Sequence, residues 1–227
     1  PTLTFAPLKI HRHLPRTRNQ HHRAPFMVKI FVHKLLILGL LSLGPSLAHA
    51  DQTTWQLDKT HTTVGFMVKH MGITRVRGTF GKFDAAVRAH KDTALLSALS
   101  ATVLVESIDT GLPKRDQHLQ KKDFFSSQDY PQAKFELKTI NFKQTKFKAV
   151  VDVTIRSIRK SIAFEGELLG IRNKNFDNSP GKRAGYTLKG VINRQDFGLS
   201  FNKLAEGVSV VSDEVTIEID FEITRKL

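Results

Sequence analysis

Cysteine is absent from the 227-residue chain. That excludes disulfides, thiolate metal sites, cysteine nucleophiles and the CxxCH attachment of a haem. It leaves an oxidising compartment open, because a core of this size folds without covalent staples. Polar aromatics are scarce: one tryptophan and two tyrosines stand beside 16 phenylalanines. No apolar run reaches the ~20 residues that a membrane-spanning helix needs. Acidic residues are missing from positions 1–50, which hold seven of the 35 Lys and Arg. Residues 51–227 therefore have 28 basic and 21 acidic side chains, a net +7 out of the formal +14. Half of the charge sits in a segment unlike the rest, and no nucleic-acid partner is expected on that ground.

The apolar residues are 40% and the charged residues 25%, the make-up of a globular chain. Within the first fifty residues, Met27 opens a second start. Lys29, His33 and Lys34 form a basic region, Leu35 to Leu43 an apolar core, and Gly44-Pro45 a break. Ala48-His49-Ala50 is a small-x-small cleavage site. That order is the order of a secretory signal. Residues 27–50 are expected to be a signal peptide cleaved after Ala50, with the periplasm or the exterior as destination; an uncleaved anchor is the alternative. Residues 1–26 are rich in Arg, His and Pro, lack periodicity and fit neither role. They are read as an over-extended or fragmentary start, with a basic transit-like peptide as the weaker alternative.

After Asp51 the pattern has period two. Phe147, Ala149, Val151, Val153 and Ile155 alternate with largely polar neighbours, and Val215, Ile217, Ile219, Phe221 and Ile223 do so more cleanly. One apolar and one wet face is the signature of antiparallel strands with a single buried side. Weaker alternation occurs at Val64-Phe66-Val68, Phe83-Ala85-Val87, Ala101-Val103-Val105, Phe135-Leu137, Ile162-Phe164 and Tyr186-Leu188, with Trp55-Leu57 opening the sheet. Roughly eight strands follow. Turn chemistry at Gly78 to Gly81 and Asn173 to Gly181 separates them. Lys114 to Phe125 is the exception, expected as a short helical excursion. A long antiparallel sheet with one apolar face must close on itself or pair with a second sheet. Closure removes the edges, and the expectation is a single-domain all-β barrel over 51–227.

Chemistry-bearing patterns are weak. His61, His70, His90 and His118 lack metal-ligand spacing. Ser107, Asp109 and His118 match a triad by residue type alone, without a GxSxG elbow. Glu106 and Asp196 are not marked as an acid–base pair. The run Ser107 to Leu119 is dense in polar groups that bond to backbone amides, as a corner closing one end of a barrel does. Phenylalanine is the unusual feature, with 13 residues after Asp51. It has no polar handle, so a cavity lined by it recognises apolar matter. Each guest CH₂ buried there contributes about 0.8 kcal/mol. A filled core satisfies the same composition.

Several motifs are long and ordered: Trp55-x-x-Asp58-x-x-His61-Thr62, Phe66-x-Val68-x-His70-x-Gly72, Val76-x-Gly78-x-Phe80, Ser107-Ile108-Asp109-Thr110-Gly111, Arg115-Asp116-x-His118-Leu119, Asp123-Phe124-Phe125, Tyr130-Pro131 with Phe135, and Asp196-Phe197-Gly198. Together they resemble the YceI-like, polyisoprenoid-binding family, in order across residues 54–225. The resemblance implies an eight-stranded, lipocalin-like antiparallel barrel exported to the periplasm. It implies an internal tunnel for a polyisoprenoid, acyl or quinone-like lipid, no catalytic residue, no metal and no other cofactor. Under it, Phe66, Val68, Phe80, Phe83, Phe124, Phe125, Phe135, Phe164 and Phe197 are expected along the lipid, and His61, His70, Arg115, Asp116 and His118 at the mouth or headgroup. Transient contact with an anionic membrane is expected, and the chain is a monomer or a homodimer. A secreted interaction barrel with a filled core and an accessory to quinone-linked electron transfer remain as alternatives. The sequence departs from the family at Thr154 to Ile162, which lacks the usual turn Gly and Pro, at Asp177 to Gly181, and at Tyr186, where Phe is usual.

Overall fold

The computed structural model describes residues 51–174 and 180–226. The segments 1–26 and 27–50 lie outside the described residues, as do positions 175–179 of the expected loop.

Alternation becomes strand where it is strongest. The strands are β1 (Gln52–His70), β2 (Thr74–Phe80), β3 (Phe83–His90), β4 (Leu96–Leu104), β5 (Ile108–Asp109), β6 (Gln132–Lys143), β7 (Lys146–Ile155), β8 (Ile158–Lys174), β9 (Pro180–Asn193), β10 (Leu204–Ala205), β11 (Val208–Ser209) and β12 (Val211–Lys226). The helix α1 (Pro113–Leu119) and 3₁₀ turns at Val105–Ser107 and Arg194–Phe197 interrupt them. β7 buries Phe147, Ala149, Val151, Val153 and Ile155 on one face, as its alternation requires. Neighbours pair in the order β12-β9-β8-β7-β6-β4-β3-β1, and β12 pairs with β1. The expected antiparallel barrel is thus closed, with eight strands in its wall.

Three local expectations need correction. Trp55-Leu57 and Val64-Phe66-Val68 belong to one 19-residue strand, β1, whose register shifts between Asp58 and Thr63. Its first part pairs with β3 and its last part with β2. Strand β2 carries little apolar alternation, because its outward residues include Arg75 and Arg77 and its inward line includes Gly78. Val105 lies in a 3₁₀ turn, where its amide bonds the Pro131 carbonyl instead of a ladder partner. The helix is also shorter than Lys114 to Phe125. Pro113 starts it with a preset φ, and after Leu119 the chain turns to drive Phe124 inward.

The lower end of the barrel, where β1 begins, is filled. Trp55, Val87, Ala94, Leu96, Tyr186, Phe221 and Ile223 are all buried there. Tyr186 stacks on Phe221 with centroids 4.8 Å apart, and its hydroxyl donates to the Ala94 carbonyl. Burial pushes the Tyr186 phenol up, so it stays a donor.

Three phenylalanines each lie across a glycine on the next strand: Phe66 opposite Gly78, Phe147 opposite Gly166 beside the β6–β7 turn, and Phe164 opposite Gly190. A methyl group at Gly78 or Gly190 would come within 2.5 or 2.6 Å of the ring. At Gly166 it would also come within 2.5 Å of the Thr187 carbonyl oxygen, a backbone atom that cannot rotate away. Gly185 has nothing within 4 Å of the same position. Gly166→Ala is therefore expected to cost about 2–3 kcal/mol in urea unfolding. Gly185→Ala is expected to change stability by less than about 0.5 kcal/mol. Equal effects at the two positions would contradict the packing account.

Candidate functional site

The upper half of the barrel is not filled. One cavity of about 90 Å³ lies under the upper end and is lined by Phe66, Val68, Phe80, Phe124, Phe125 and Phe135 among others. A second, of about 70 Å³, lies deeper and is lined by Phe83, Phe135, Phe164, Leu99, Leu188 and Ile219 among others. Val64, Val103 and Phe135 border both, so the two spaces adjoin along the barrel. Their walls are almost wholly apolar. Alternation explains the lining: β1 turns Phe66 and Val68 inward while Met67 and Lys69 face out. Eight of the nine side chains expected along a tunnel line one cavity or the other. Phe197 does not. It is fully buried in its 3₁₀ turn and borders neither space.

A lid of rings and loops covers the upper cavity. Phe80 meets Phe66 at 5.7 Å and Phe125 edge-on at 6.0 Å. Phe124 stacks on Phe201 at 4.8 Å, and the Phe201 amide bonds the Asp123 carbonyl. Phe124 is buried, but Phe66, Phe80 and Phe125 are only partly so. They are the side chains with room to move.

The polar residues expected at a mouth are mostly committed to holding the chain. Arg115 donates from Nε to the Thr110 hydroxyl and from Nη2 to the Thr110 carbonyl, both at 2.7 Å. Asp116 accepts from the Thr110 amide at 2.9 Å, and Asp109 accepts from the Gly111 amide at 2.7 Å, where φ is +76°. His118 bonds Asp123 at 3.0 Å and sits edge-on against Phe124 and Phe201. These three therefore knit the lid and do not present free polar groups to the cavities. His70 ends β1, partly buried, and borders neither cavity. His61 stands on the outer wall at the lower end, also away from both. There Asp58 Oδ1 accepts from the amides of Thr60 and His61 at 3.0 and 3.3 Å, and the Thr62 hydroxyl donates to the Asp58 carbonyl at 2.6 Å. The Asp58-x-x-His61-Thr62 motif is thus the stitching of the irregularity in β1.

Across β12, Arg183 bonds both Asp58 and Glu222. Asp58, His61 and Glu222 lie close enough to share a cation. The guanidinium already serves both carboxylates.

Two arginines at the upper end were not singled out from the sequence. Arg194 is 2% exposed and, among the described residues, is the one charged side chain bordering the upper cavity. It donates to the carbonyls of Leu199 at 2.6 Å, Ser212 at 3.0 Å and Val211 at 3.3 Å, and to Asp213 at 2.9 Å. Burial pulls its pKa down, and Asp213 opposes that. Its position just before Asp196-Phe197-Gly198 was the available signal. Arg156 and Ser157 form the β7–β8 turn with φ of +51° and +65°, a conformation that favours glycine. Arg156 offsets that strain by donating to the carbonyls of Phe124, at 3.0 Å, and Gly198. It also lies 5.6 Å from the Tyr130 ring centre. The Arg156 turn is thus a strap across the lid.

The Asp58 network gives a pH dependence. Burial alone would raise the Asp58 pKa. Hydrogen bonds from His61, Arg183 and two amides overcome it and hold the value at about 2, against an ordinary 3.8. A depressed folded-state pKa contributes stability above the unfolded value, and the contribution disappears as pH falls through the folded one. Asp58→Asn is expected to cost about 1–2 kcal/mol near neutral pH, with the gap to the native protein closing between about pH 4 and pH 2. Denaturant midpoints measured across that range check it; a gap that stays constant contradicts the assignment.

Comparison with known proteins places this architecture. The YceI-like domain matches residues 55–223. A UPF0312 protein of Staphylococcus aureus strain N315 is 32% identical over 174 residues, covering 76% of this chain and 98% of that protein. The crystal structure of the Campylobacter jejuni YCEI protein superposes with a TM-score of 0.60 at 31% identity, covering 76% of this chain and 98% of that one. A polyisoprenoid binding domain from Saccharophagus degradans, implicated in plant cell wall breakdown, shares the fold with a TM-score of 0.53 at 14% identity, covering 75% and 98%. With its closed barrel and its ordered motifs inside the matched span, the chain belongs to the YceI-like family.

Proposed function

We propose that this protein is a non-catalytic carrier that takes an isoprenoid or comparable long-chain amphiphilic lipid into its barrel. The observation that carries the reading is the pair of adjoining apolar cavities, bordered together by Val64, Val103 and Phe135. A filled barrel has no use for unoccupied space lined by phenylalanine, since each void forfeits packing energy. The polyisoprenoid named for the Saccharophagus domain supports the class of guest. The side chains expected along the lipid, from Phe66 to Phe164, supply many small apolar increments, and none of them fixes a headgroup.

The cavities at rest, about 90 and 70 Å³, are smaller than the ~300 Å³ at which ligand pockets begin. Entry of a long chain therefore requires the lid rings to swing, Phe80 and Phe125 first. Export to the periplasm belongs to the same reading, supported by the signal-like order of residues 27–50. The prenyl tail of a quinone suits the same space. A barrel whose residual voids are never occupied is the second reading, favoured by the small resting volumes.

Native mass spectrometry followed by organic extraction, on protein purified from its own source without detergent, decides between them. A stoichiometric apolar adduct is expected, and its mass names the lipid. A clean apo mass, unchanged after exposure to polyprenyl phosphates, quinones and fatty acids, would overturn the carrier. The same sample is expected to begin at Asp51; retention of Met27 would overturn the processing. Ala133→Leu pushes three carbons into the upper cavity and is expected to weaken guest binding about tenfold while the barrel stays folded. Undiminished binding would move the guest elsewhere.

A further inference from the structure

Two hairpin tips stand side by side at the upper end. The turn from Met71 to Ile73 joins β1 to β2, and the β10–β11 hairpin follows the Arg194 turn. The Met71 amide donates to the Val210 carbonyl at 3.1 Å, and the Val210 amide to the Lys203 carbonyl at 2.9 Å. The Gly72 position lies against a Val208 methyl group. The tips are apolar: Ile73 is 84% exposed, Leu204 60% and Val208 47%. An isoleucine so exposed at a turn contributes nothing to the core.

The ladder below these tips is cationic. Lys69 stands directly opposite Arg75, and Arg77 follows opposite Met67 on the same outward face. Like charges facing each other across a ladder destabilise it. Among the described residues, the side chains of Lys69, Arg75, Arg77 and Lys203 have no acidic partner. Residues 69–80 contain no Asp or Glu, and Glu206 is the one acidic residue of the second tip. The inward neighbours on these strands, Phe66, Val68 and Phe80, border the upper cavity.

We infer that this end of the barrel is a docking surface for an anionic lipid bilayer, with Ile73, Leu204 and Val208 inserted at the interface and Lys69, Arg75, Arg77 and Lys203 on the lipid phosphates. The inference rests on the carrier reading for its purpose. Apolar side chains flanked by Lys and Arg on one side, with Asp213 on the neighbouring strand already paired to Arg194, have the chemistry of interfacial insertion, and each cation near such a surface strengthens binding roughly fivefold. Seated this way, the barrel holds its cavity and its mobile lid rings over the membrane that supplies the guest.

The absence of cysteine gives a clean test. In the full chain, Ile73→Cys carries an environment-sensitive dye, with Val150→Cys on the barrel wall as the control position. Vesicles of phosphatidylcholine, with and without phosphatidylglycerol, are the probe. The dye at position 73 is expected to shift blue and resist an aqueous quencher only with the anionic vesicles, and the dye at 150 to stay unchanged. Adding Lys69→Gln, Arg75→Gln and Arg77→Gln is expected to weaken the response about a hundredfold, and salt to weaken it in the native background. The local dye separates this tip from any membrane affinity of residues 1–50. No shift at 73, equal shifts at 73 and 150, or a response untouched by the triple substitution would overturn the docking surface. Binding of a prenyl alcohol in detergent-free solution, measured alongside, is expected to survive the triple substitution. Its loss in every variant, including the native chain, would instead count against the carrier while leaving the vesicle result to stand for itself.

Discussion

Three phenylalanines laid across cross-strand glycines set the interior on which the barrel depends. Phe66, Phe147 and Phe164 need the Cβ-free positions at Gly78, Gly166 and Gly190 to lie flat along their neighbours. Glycine weakens a strand by leaving nothing to pack, and an aromatic ring from the next strand restores the contact. In the same stroke the rings stay close to the wall. Phe66 and Phe164 then border cavities and do not fill them. Phe147, by contrast, packs against Phe142 at 5.0 Å and borders neither cavity. Below, Tyr186 on Phe221, beside Trp55, closes the interior without such a device.

The polar motifs serve that arrangement. Asp58, His61 and Thr62 stitch the irregular point of β1, and Arg183 ties it across β12 to β9. Asp109, Thr110, Arg115 and Asp116 knit the start of the lid, while His118 wedges between Phe124 and Phe201. Arg156 and Arg194 bind carbonyls from separate loops and hold the lid to the barrel rim. The long polar motifs here supply backbone hydrogen bonding that irregular chain cannot satisfy by itself. The guest-facing surface is the least distinctive part of the sequence, because any apolar side chain pointing inward serves it.

That contrast explains what the sequence disclosed. Strands with one buried face, such as β7 and β12, show in their alternation, since each second residue must be apolar. One apolar face required the sheet either to close or to pair with a second sheet, and the removal of exposed edges favoured closure. Strand β2 was not legible: Arg75 and Arg77 face water, and Gly78 occupies an inward position. The inward placement of Phe83 and Phe135 follows from period two, but Phe197 sits in a 3₁₀ turn where that period does not apply. Arg115, Asp116 and His118 were expected near a headgroup because they are polar and clustered. Their partners, Thr110 and Asp123, lie in the lid itself and become visible only in three dimensions. For Arg194 the sequence offers only its place just before Asp196-Phe197-Gly198, as a buried arginine is recognised by the carbonyls around it.

The central claim is that the guest lies along the barrel through both cavities. Methyl NMR during titration with a prenyl alcohol tests it most directly. Val68 reports the upper cavity, Val103 the shared wall, and Leu99 and Leu188 the deeper space. All four are expected to shift together and saturate at one guest per barrel, with Leu96 in the filled lower end unmoved. Shifts confined to outward residues such as Val150 and Leu169, with Val103 and Leu188 silent at saturation, would contradict it.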